Sequence, residues 1–146
     1  MIELTVVLAM LAILAGMAMP SFIGYVANAS LREAGHVLLT DALFAQSEAI
    51  KRNAIVRVSV AGNSVTVTDR TAVPPTTLRQ HPLPADVTAD TATVDFGSQG
   101  WPSDLKDRTI ALGRTSVACS DAVQCPALRI EGGGAVRLCG NKADCS

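Results

Sequence analysis

A run of 28 residues without a charged side chain, from Leu4 to Leu31, dominates the start of this sequence. Its first part, Leu4–Met19, is almost entirely apolar. A membrane span needs roughly 17–25 mostly apolar residues to cross a hydrocarbon core of ~30 Å. The 20 residues from Leu4 to Ile23 meet that requirement. The sequence therefore predicts a membrane-spanning helix in this segment.

A cleavable secretory signal peptide is the alternative interpretation of the apolar run. Such a peptide begins with a basic segment, whereas the acid Glu3 precedes this run and the first basic residue is Arg32. We therefore favour a retained helix. A carboxylate at the mouth of an apolar helix needs a partner or an interfacial position, and the helix dipole favours an acid at the N-terminus. From the sequence alone, Glu3 is expected either to lie in the lipid headgroup layer or to pair with an amine.

Beyond Pro20 the apolar run becomes a stripe with helical spacing. Apolar residues recur every three or four positions, as on one face of a helix: Leu31, Ala34, Leu38, Ala42, Ala45 and Ala49. The polar residues of this segment fall largely off the stripe: Arg32, Glu33, Asp41, Glu48, Lys51 and Arg52. We predict one long helix over about residues 3–52. It has a kink or local melting at Gly16 to Pro20, because proline lacks the amide and clashes with the preceding turn.

The rest of the chain predicts an antiparallel β domain. Ile55–Val60 and Ser64–Thr68 alternate with period two around turn residues at 61–63, which indicates a hairpin. A loop-rich stretch is expected from Pro74 through Pro84. Further short strands are predicted at Ala92–Phe96, Thr109–Leu112, Ser116–Cys119, Ala127–Ile130 and Ala135–Cys139. The run Gly132–Gly134 between the last two is typical of a hairpin turn that needs positive φ.

Four cysteines fall within the last 28 residues. An even, clustered count in a domain outside the cytoplasm predicts disulfides. Zinc is disfavoured because its paired cysteines usually have 2–4 residues between them and no histidine lies nearby. We favour Cys119–Cys125 and Cys139–Cys145, since each closes a short polar loop. The nested pairing, Cys119–Cys145 with Cys125–Cys139, is the alternative.

The N-terminal segment resembles the first helix of type IV pilins and type II secretion pseudopilins. Their mature chains begin with a short apolar stretch and a glutamate. An apolar run then ends at a proline followed by a small residue and an aromatic, as at Glu3, Pro20, Ser21 and Phe22. Members of this family are synthesised with a basic leader peptide before the mature chain. The resemblance therefore implies that a leader and part of the mature N-terminus precede Met1.

Two later segments narrow the resemblance to the GspH/FimT/FimU group of minor pilins and pseudopilins. Residues 31–53 contain Ala45-Gln-Ser-Glu-Ala near their end and lead into a strand at Val56–Val60, as the helix of that group does. Gly134–Cys139 is similar to the group's final strand. The match is weak from about residue 70 to 105.

The resemblance implies an α+β pilin fold, with a long N-terminal helix, kinked near Pro20, packed by its C-terminal half on an antiparallel β domain. Residues 1–25 are expected to form the transmembrane and filament-core half of the helix. Residues 26–146 are expected to form a periplasmic or extracellular globular domain. Glu3 is expected to pair with a neighbour's N-terminal amine. The implied partners are other minor pilins, the major pilin, the bacterial inner membrane before assembly, and a prepilin peptidase for the precursor.

The function expected from the resemblance is that of a structural minor pilin in the initiating or tip complex of a type IV pilus, serving adhesion or twitching motility. A minor pseudopilin of a type II secretion system is the alternative. No enzyme activity, cofactor or metal is expected. His36 on the helix and His81 in a proline-flanked loop sit in no catalytic arrangement, and no phosphate-binding glycine loop occurs.

DNA capture is the remaining alternative function. The net charge of −1 provides no global basic field for it. Some FimT-type minor pilins hold DNA with a C-terminal Gly-Arg-x-Arg turn, and the matching residues 134–137 lack the first arginine. The remaining candidate contacts are Arg114, Arg129, Arg137 and Lys142. We favour the interpretation that these are solvated strand edges, which discourage aggregation.

Overall fold

The fold is that of a long helix followed by two antiparallel sheets. A computed structural model describes the backbone from Ile2 to Cys145, and the side chains of residues 3–16 and 22–145. Helix α1 covers Ile2–Arg52. A short 3-10 helix at Lys142–Cys145 follows the last strand. The strands in chain order are β1 (Val56–Ala61), β2 (Ser64–Asp69), β3 (Thr76–Pro82), β4 (Val87–Ala89), β5 (Ala92–Phe96), β6 (Arg108–Arg114), β7 (Ala127–Ile130) and β8 (Val136–Cys139).

Helix α1 has 51 residues, which gives it a length of roughly 75 Å at 1.5 Å per residue. This confirms the prediction of one helix over about residues 3–52. The helix ends at Arg52, and the next residue, Asn53, has a φ of 50°, the left-handed conformation common just beyond a helix C-terminus. Backbone helix is continuous past Gly16. The kink predicted near Pro20 falls on residues 17–21, whose side chains are outside the described residues, and it stays a prediction.

The first half of α1 has no covering layer among the described residues. Its large apolar side chains are exposed: Leu4, Val6, Val7, Leu8, Met10, Leu11, Ile13, Leu14, Phe22, Ile23 and Val26. The hydrophobic core begins at Ala27.

Within the described residues, no helix is both long enough and apolar enough to span a membrane. The span predicted at Leu4–Ile23 includes residues 17–21 and therefore lies partly outside the described residues.

The two sheets have the strand orders β3-β2-β1-β5 and β4-β6-β7-β8 in the described part of the chain. Strands β1 and β2 form the predicted hairpin, with Val58 opposite Val67. Strands β5 and β7 have the predicted bounds, and β6 and β8 differ from them by no more than two residues at either end. The turn at Gly132–Gly134 joins β7 and β8 as predicted.

Two expectations for the β domain are wrong. The stretch from Pro74 through Pro84 is not all loop, because β3 pairs with β2 along it. As an edge strand, β3 has polar side chains on both faces and gives no period-two apolar signal. Ser116–Cys119 is not a strand: Cys119 opens a loop that closes at Cys125, and Ser120 and Val123 bond to each other inside that loop. The three-residue strand β4 was also not predicted.

The second half of α1 packs against both sheets and forms the core with them. All six residues of the apolar stripe are fully buried: Leu31, Ala34, Leu38, Ala42, Ala45 and Ala49. The alanines on this stripe let the helix backbone approach the sheets closely. The core can therefore be built from valine, leucine and isoleucine with few aromatic residues, and Phe96 is a fully buried ring at its centre.

Candidate functional site

Glu3 lies in the first turn of α1 and is exposed. The exposed apolar half of the helix follows it directly. In this position the helix dipole favours the carboxylate, and its side chain is accessible to another chain. The charge-pairing role of Glu3 stays a prediction.

Two disulfides join Cys119 to Cys125 and Cys139 to Cys145, with Cα–Cα distances of 5.7 and 5.5 Å. This is the preferred pairing from the sequence and not the nested alternative. Asn28 of α1 fastens the first loop to the helix: its Nδ2 donates to the Ala122 carbonyl at 2.8 Å, and its Oδ1 accepts from the Gln124 amide at 2.9 Å.

The second disulfide loop is fastened to the first and to β7. The Lys142 amide donates to the Cys125 carbonyl at 2.8 Å, and Arg129 Nη1 donates to the Cys145 carbonyl at 2.7 Å. The C-terminal end of the chain is therefore a cross-linked body held against α1.

A cleft of about 740 Å³ lies between α1 and the disulfide loops. Its charged lining residues are of both signs: Arg32 and Glu33 from the helix and Asp121 from the first loop. Such a lining does not favour an anionic ligand. Among the residues that the structure describes, no group of three His, Cys, Asp or Glu side chains is placed to hold a metal ion.

The structure brings together only two of the four candidate DNA contacts. Arg129 on β7 lies directly opposite Arg137 on β8, so both point to one face of the sheet. Arg114 points to the other face, because its strand neighbours Ile110 and Leu112 share its alternation and face the core. Lys142 is exposed in the 3-10 helix.

All three arginines are paired with carboxylates. Arg114 pairs with Asp86. Arg129 Nη2 lies 2.9 Å from Asp107, and Arg137 Nη2 lies 3.1 Å from Glu131. These ion pairs occupy the arginines and do not favour phosphate binding. The exposed Arg137 fits the expectation of a solvated strand position, whereas the Arg114 and Arg129 side chains are mostly buried.

We expect duplex DNA to bind this protein no better than the roughly 10⁻⁴–10⁻⁶ M of non-specific contacts at physiological salt. A gel-shift titration of the protein and of its Arg137→Ala variant measures this. Sub-micromolar binding that weakens steeply with salt and is lost in Arg137→Ala would contradict the prediction.

A buried cluster around Asp41 is a feature that the sequence analysis missed. Asp41 of α1 is 0% exposed. His81 Nδ1 of β3 donates to its carboxylate at 2.9 and 3.0 Å, and Arg79 Nη1 lies 3.4 Å from it. Arg79 also stacks on the Phe44 ring, 4.0 Å from its centre. The acid therefore ties the helix to the edge strand.

The position of Asp41 held a signal that could have revealed this cluster. Asp41 is three residues after Leu38 and four before Ala45, both on the apolar stripe, so it lies on the inner face. Glu48 is three residues after Ala45 and is also buried. The expectation that these two acids fall off the stripe is wrong. The Arg52 guanidinium, 2.6 Å from Glu48, holds the pKa of that carboxyl below its usual range.

Strands β1 and β5 are joined by a bidentate ion pair. Arg57 Nε and Nη2 donate to the two carboxylate oxygens of Asp95, each at 2.6 Å. The hydrogen bond from Arg57 lowers the pKa of Asp95, and the same bond raises the pKa of Arg57.

We expect acid to weaken the fold partly through Asp95. Its pKa is lower in the folded protein than in the unfolded chain, so the stabilisation is complete above the unfolded pKa and is lost as the pH falls through the folded one. The loss should begin near pH ~4, the ordinary range of an aspartate. Urea denaturation from pH 7 to pH 3 checks this: Asp95→Asn should be less stable than the parent at pH 7, and the difference should shrink at pH 3. A difference that stays constant would show that the pair adds no pH dependence.

Residues 34–143 match the family described as type II transport protein GspH. No curated protein sequence matches the chain.

Two crystal structures of the Pseudomonas aeruginosa (strain PAO1) type IV minor pilin FimU share this fold. The structure in space group P21 has a TM-score of 0.62 and 21% identity, and the match covers 74% of this chain and 87% of that one. The structure in space group P65 has a TM-score of 0.60 and 19% identity, with coverage of 73% and 90%.

Proposed function

Because the chain belongs to the GspH family, we propose that it is a minor pilin of a type IV pilus. In this proposal it is a structural subunit of the complex that initiates the pilus and remains near its tip, in support of adhesion or twitching motility. The family consists of structural pilins, so the protein acts by assembly with other pilins and not by catalysis.

The observation that carries the proposal is the division of α1 into two halves. From Ala27 onward the inner face of the helix is buried under the two sheets. Before that point its described apolar side chains have no cover. An apolar helix of this kind can exchange lipid for neighbouring helices at little loss of apolar burial, since both surroundings are similarly apolar.

In this proposal residues 1–25 are held in the bacterial inner membrane before assembly and then enter the filament core. Residues 26–146 form the globular domain on the periplasmic or extracellular side. Glu3 exchanges solvation in the headgroup layer for the N-terminal amine of a neighbouring pilin. The precursor is processed by a prepilin peptidase, and the assembly partners are the other minor pilins and the major pilin.

The experiment is to replace Glu3 with alanine and measure the subunit in sheared pili. We expect incorporation to fall about tenfold or more, because an unpaired charge buried in the filament costs several kcal/mol. The level of the protein in the cell envelope should not change, because Glu3 lies far along α1 from the core. Glu33→Ala is the matched control, since Glu33 is an exposed acid on the same helix. Normal incorporation of the Glu3 variant would contradict the proposal.

A minor pseudopilin of a type II secretion system is the alternative within the same family. The cross-linked C-terminal end favours the pilus, because a tip exposed outside the cell gains more from disulfides than a periplasmic subunit does. Deletion of the gene distinguishes the two functions. Loss of pili with normal protein secretion supports the pilus, and the reverse result supports the pseudopilus.

A further inference from the structure

Three large apolar side chains are exposed together where α1 meets the loop between β5 and β6. They are Ile50, Trp101 and Leu105, which are 54%, 48% and 63% exposed, and we call them the Trp101 patch. The helix and the loop touch here, because a Cβ added to Gly100 would lie 2.8 Å from Ile50 Cδ1. An exposed cluster that contains the single tryptophan of the chain is typical of a binding surface.

The loop that carries the patch is held rigidly. Gln46 Nε2 of α1 donates to the carbonyls of Gly100 at 2.7 Å and Gly134 at 2.8 Å. The Gly97 amide donates to the Trp101 carbonyl at 2.8 Å. A backbone fixed in this way loses little freedom when a partner binds, so the loop is organised in advance.

The glycine turn between β7 and β8 packs against the same loop. A Cβ at Gly132 would lie 2.1 Å from the Leu105 carbonyl oxygen, and a Cβ at Gly134 would lie 2.8 Å from Trp101 Cδ1. Gly134 also has a φ of 89°. The two glycines therefore allow the turn to approach the loop as well as to reverse the chain.

Leu105 combines a strained backbone with an exposed side chain. Its φ is 55°, a left-handed conformation that leucine rarely adopts. A core contact would give a reason for such strain, but the side chain is mostly exposed. Strain of this kind tends to occur at functional positions.

The patch continues an exposed line along α1. Phe22, Ala29, His36, Leu43 and Ile50 recur every seven residues and are all exposed. A seven-residue repeat keeps nearly one face of a helix toward a partner helix. A neighbour that packs on the apolar first half of α1 along this line therefore reaches Leu43 and the Trp101 patch.

We propose that the Trp101 patch is the contact surface for the long helix of a neighbouring pilin subunit in the same filament. This inference rests on the proposed function and adds the residues that meet the partner. The residues that support the patch, Gln46, Gly100 and Gly134, are uncharged, and exposed charged residues flank it in the chain at Lys51, Asp104 and Lys106. The partner face is therefore apolar and without charges at its centre, as in the buried centre of most interfaces.

The test uses the full chain in the bacterium that assembles it, with a photo-crosslinking amino acid at position 101. Gln80 is the matched control position, because it is exposed on β3 at the far edge of the sheet from β5. We expect irradiated cells to give a crosslink from position 101, and not from position 80, to a protein identified by mass spectrometry as a pilin. No crosslink, or a crosslink only to a polysaccharide or a protein of another class, would overturn the inference.

Two substitutions test the patch independently. Trp101→Glu should lower incorporation into sheared pili roughly tenfold or more, as a disrupted interface centre does, whereas Gln80→Glu should not. Leu105→Gly should lower incorporation while thermal stability is kept, because glycine adopts the left-handed conformation without strain. If Glu3→Ala blocks assembly and both patch variants assemble normally, the patch inference is wrong and the proposed function stands. If Glu3→Ala also assembles normally, the proposed function itself is wrong.

Discussion

Replacement of both Arg79 and His81 by alanine should lower the free energy of unfolding by about 3 kcal/mol, because Asp41 would remain buried without a cationic or hydrogen-bonding partner. Asp41 is fully buried, and these two side chains of β3 are the ones that contact its carboxylate. Both are partly exposed, so water can enter when they are removed, and we place the loss at the low end of the range for a broken buried pair. Urea denaturation of a chain that begins at residue 26 measures it.

A third substitution separates charge burial from simple loss of contacts. Adding Asp41→Asn to the double variant replaces the buried carboxylate by a neutral amide, which costs much less to bury, so stability should partly return. Each single variant should lose less than the double variant, because one partner remains for Asp41. If the double variant is as stable as the parent, or the triple variant is less stable than the double, the cluster does not stabilise the fold.

Loss of the two disulfides should lower the free energy of unfolding by about 2 kcal/mol for each, from the loop-closure entropy of two short loops. Each bridge spans a sequence separation of 6 residues. For a domain of this size the melting temperature should fall by roughly 8 °C per bridge. Scanning calorimetry of periplasmically produced protein, with and without reductant, checks this.

The two bridges can be tested one at a time. A Cys119→Ala/Cys125→Ala variant and a Cys139→Ala/Cys145→Ala variant should each keep one reductant-sensitive step, and a variant without cysteines should show none. Loss of the second bridge should also release the contacts of Lys142 and Arg129 with the disulfide loops. Four free thiols in the periplasmic protein, measured by mass spectrometry, would contradict the prediction.

Local patterns predicted most of the secondary structure because local forces determine those elements. The stripe from Leu31 to Ala49 predicted both the helix and its buried face, since the period of 3.6 residues leaves no other arrangement of these side chains. The alternation in β1 and β2 predicted the first hairpin for the same reason. Strand β3 has no such pattern, since most of its side chains are polar, and it forms because β2 offers it a free edge to pair with.

The candidate site was predicted in part. The cysteine pairing was predicted because the four cysteines are clustered in the sequence, and the role of Glu3 stays a prediction. The opposite faces of Arg114 and Arg129 were not predicted, since they depend on the register between β6 and β7. The Trp101 patch was also missed. Ile50 and Trp101 are far apart in the chain, and the loop that carries Trp101 meets α1 only in the folded protein, where Gln46 bonds to the Gly100 carbonyl.

The sequence alone determined the long helix, its buried stripe, the strand-rich remainder and the preferred cysteine pairing, because each follows from periodicity or from residues a few positions apart. Only the tertiary structure decided which charges are buried or paired and which apolar side chains stay exposed. Asp41 is stable inside because β3 brings Arg79 and His81 to it. Leu105 stays exposed although the turn at Gly132 lies against its backbone. Whether a side chain is buried, paired or exposed depends on residues that are distant in the chain. Its burial and electrostatic energies are set by those residues once the chain has folded.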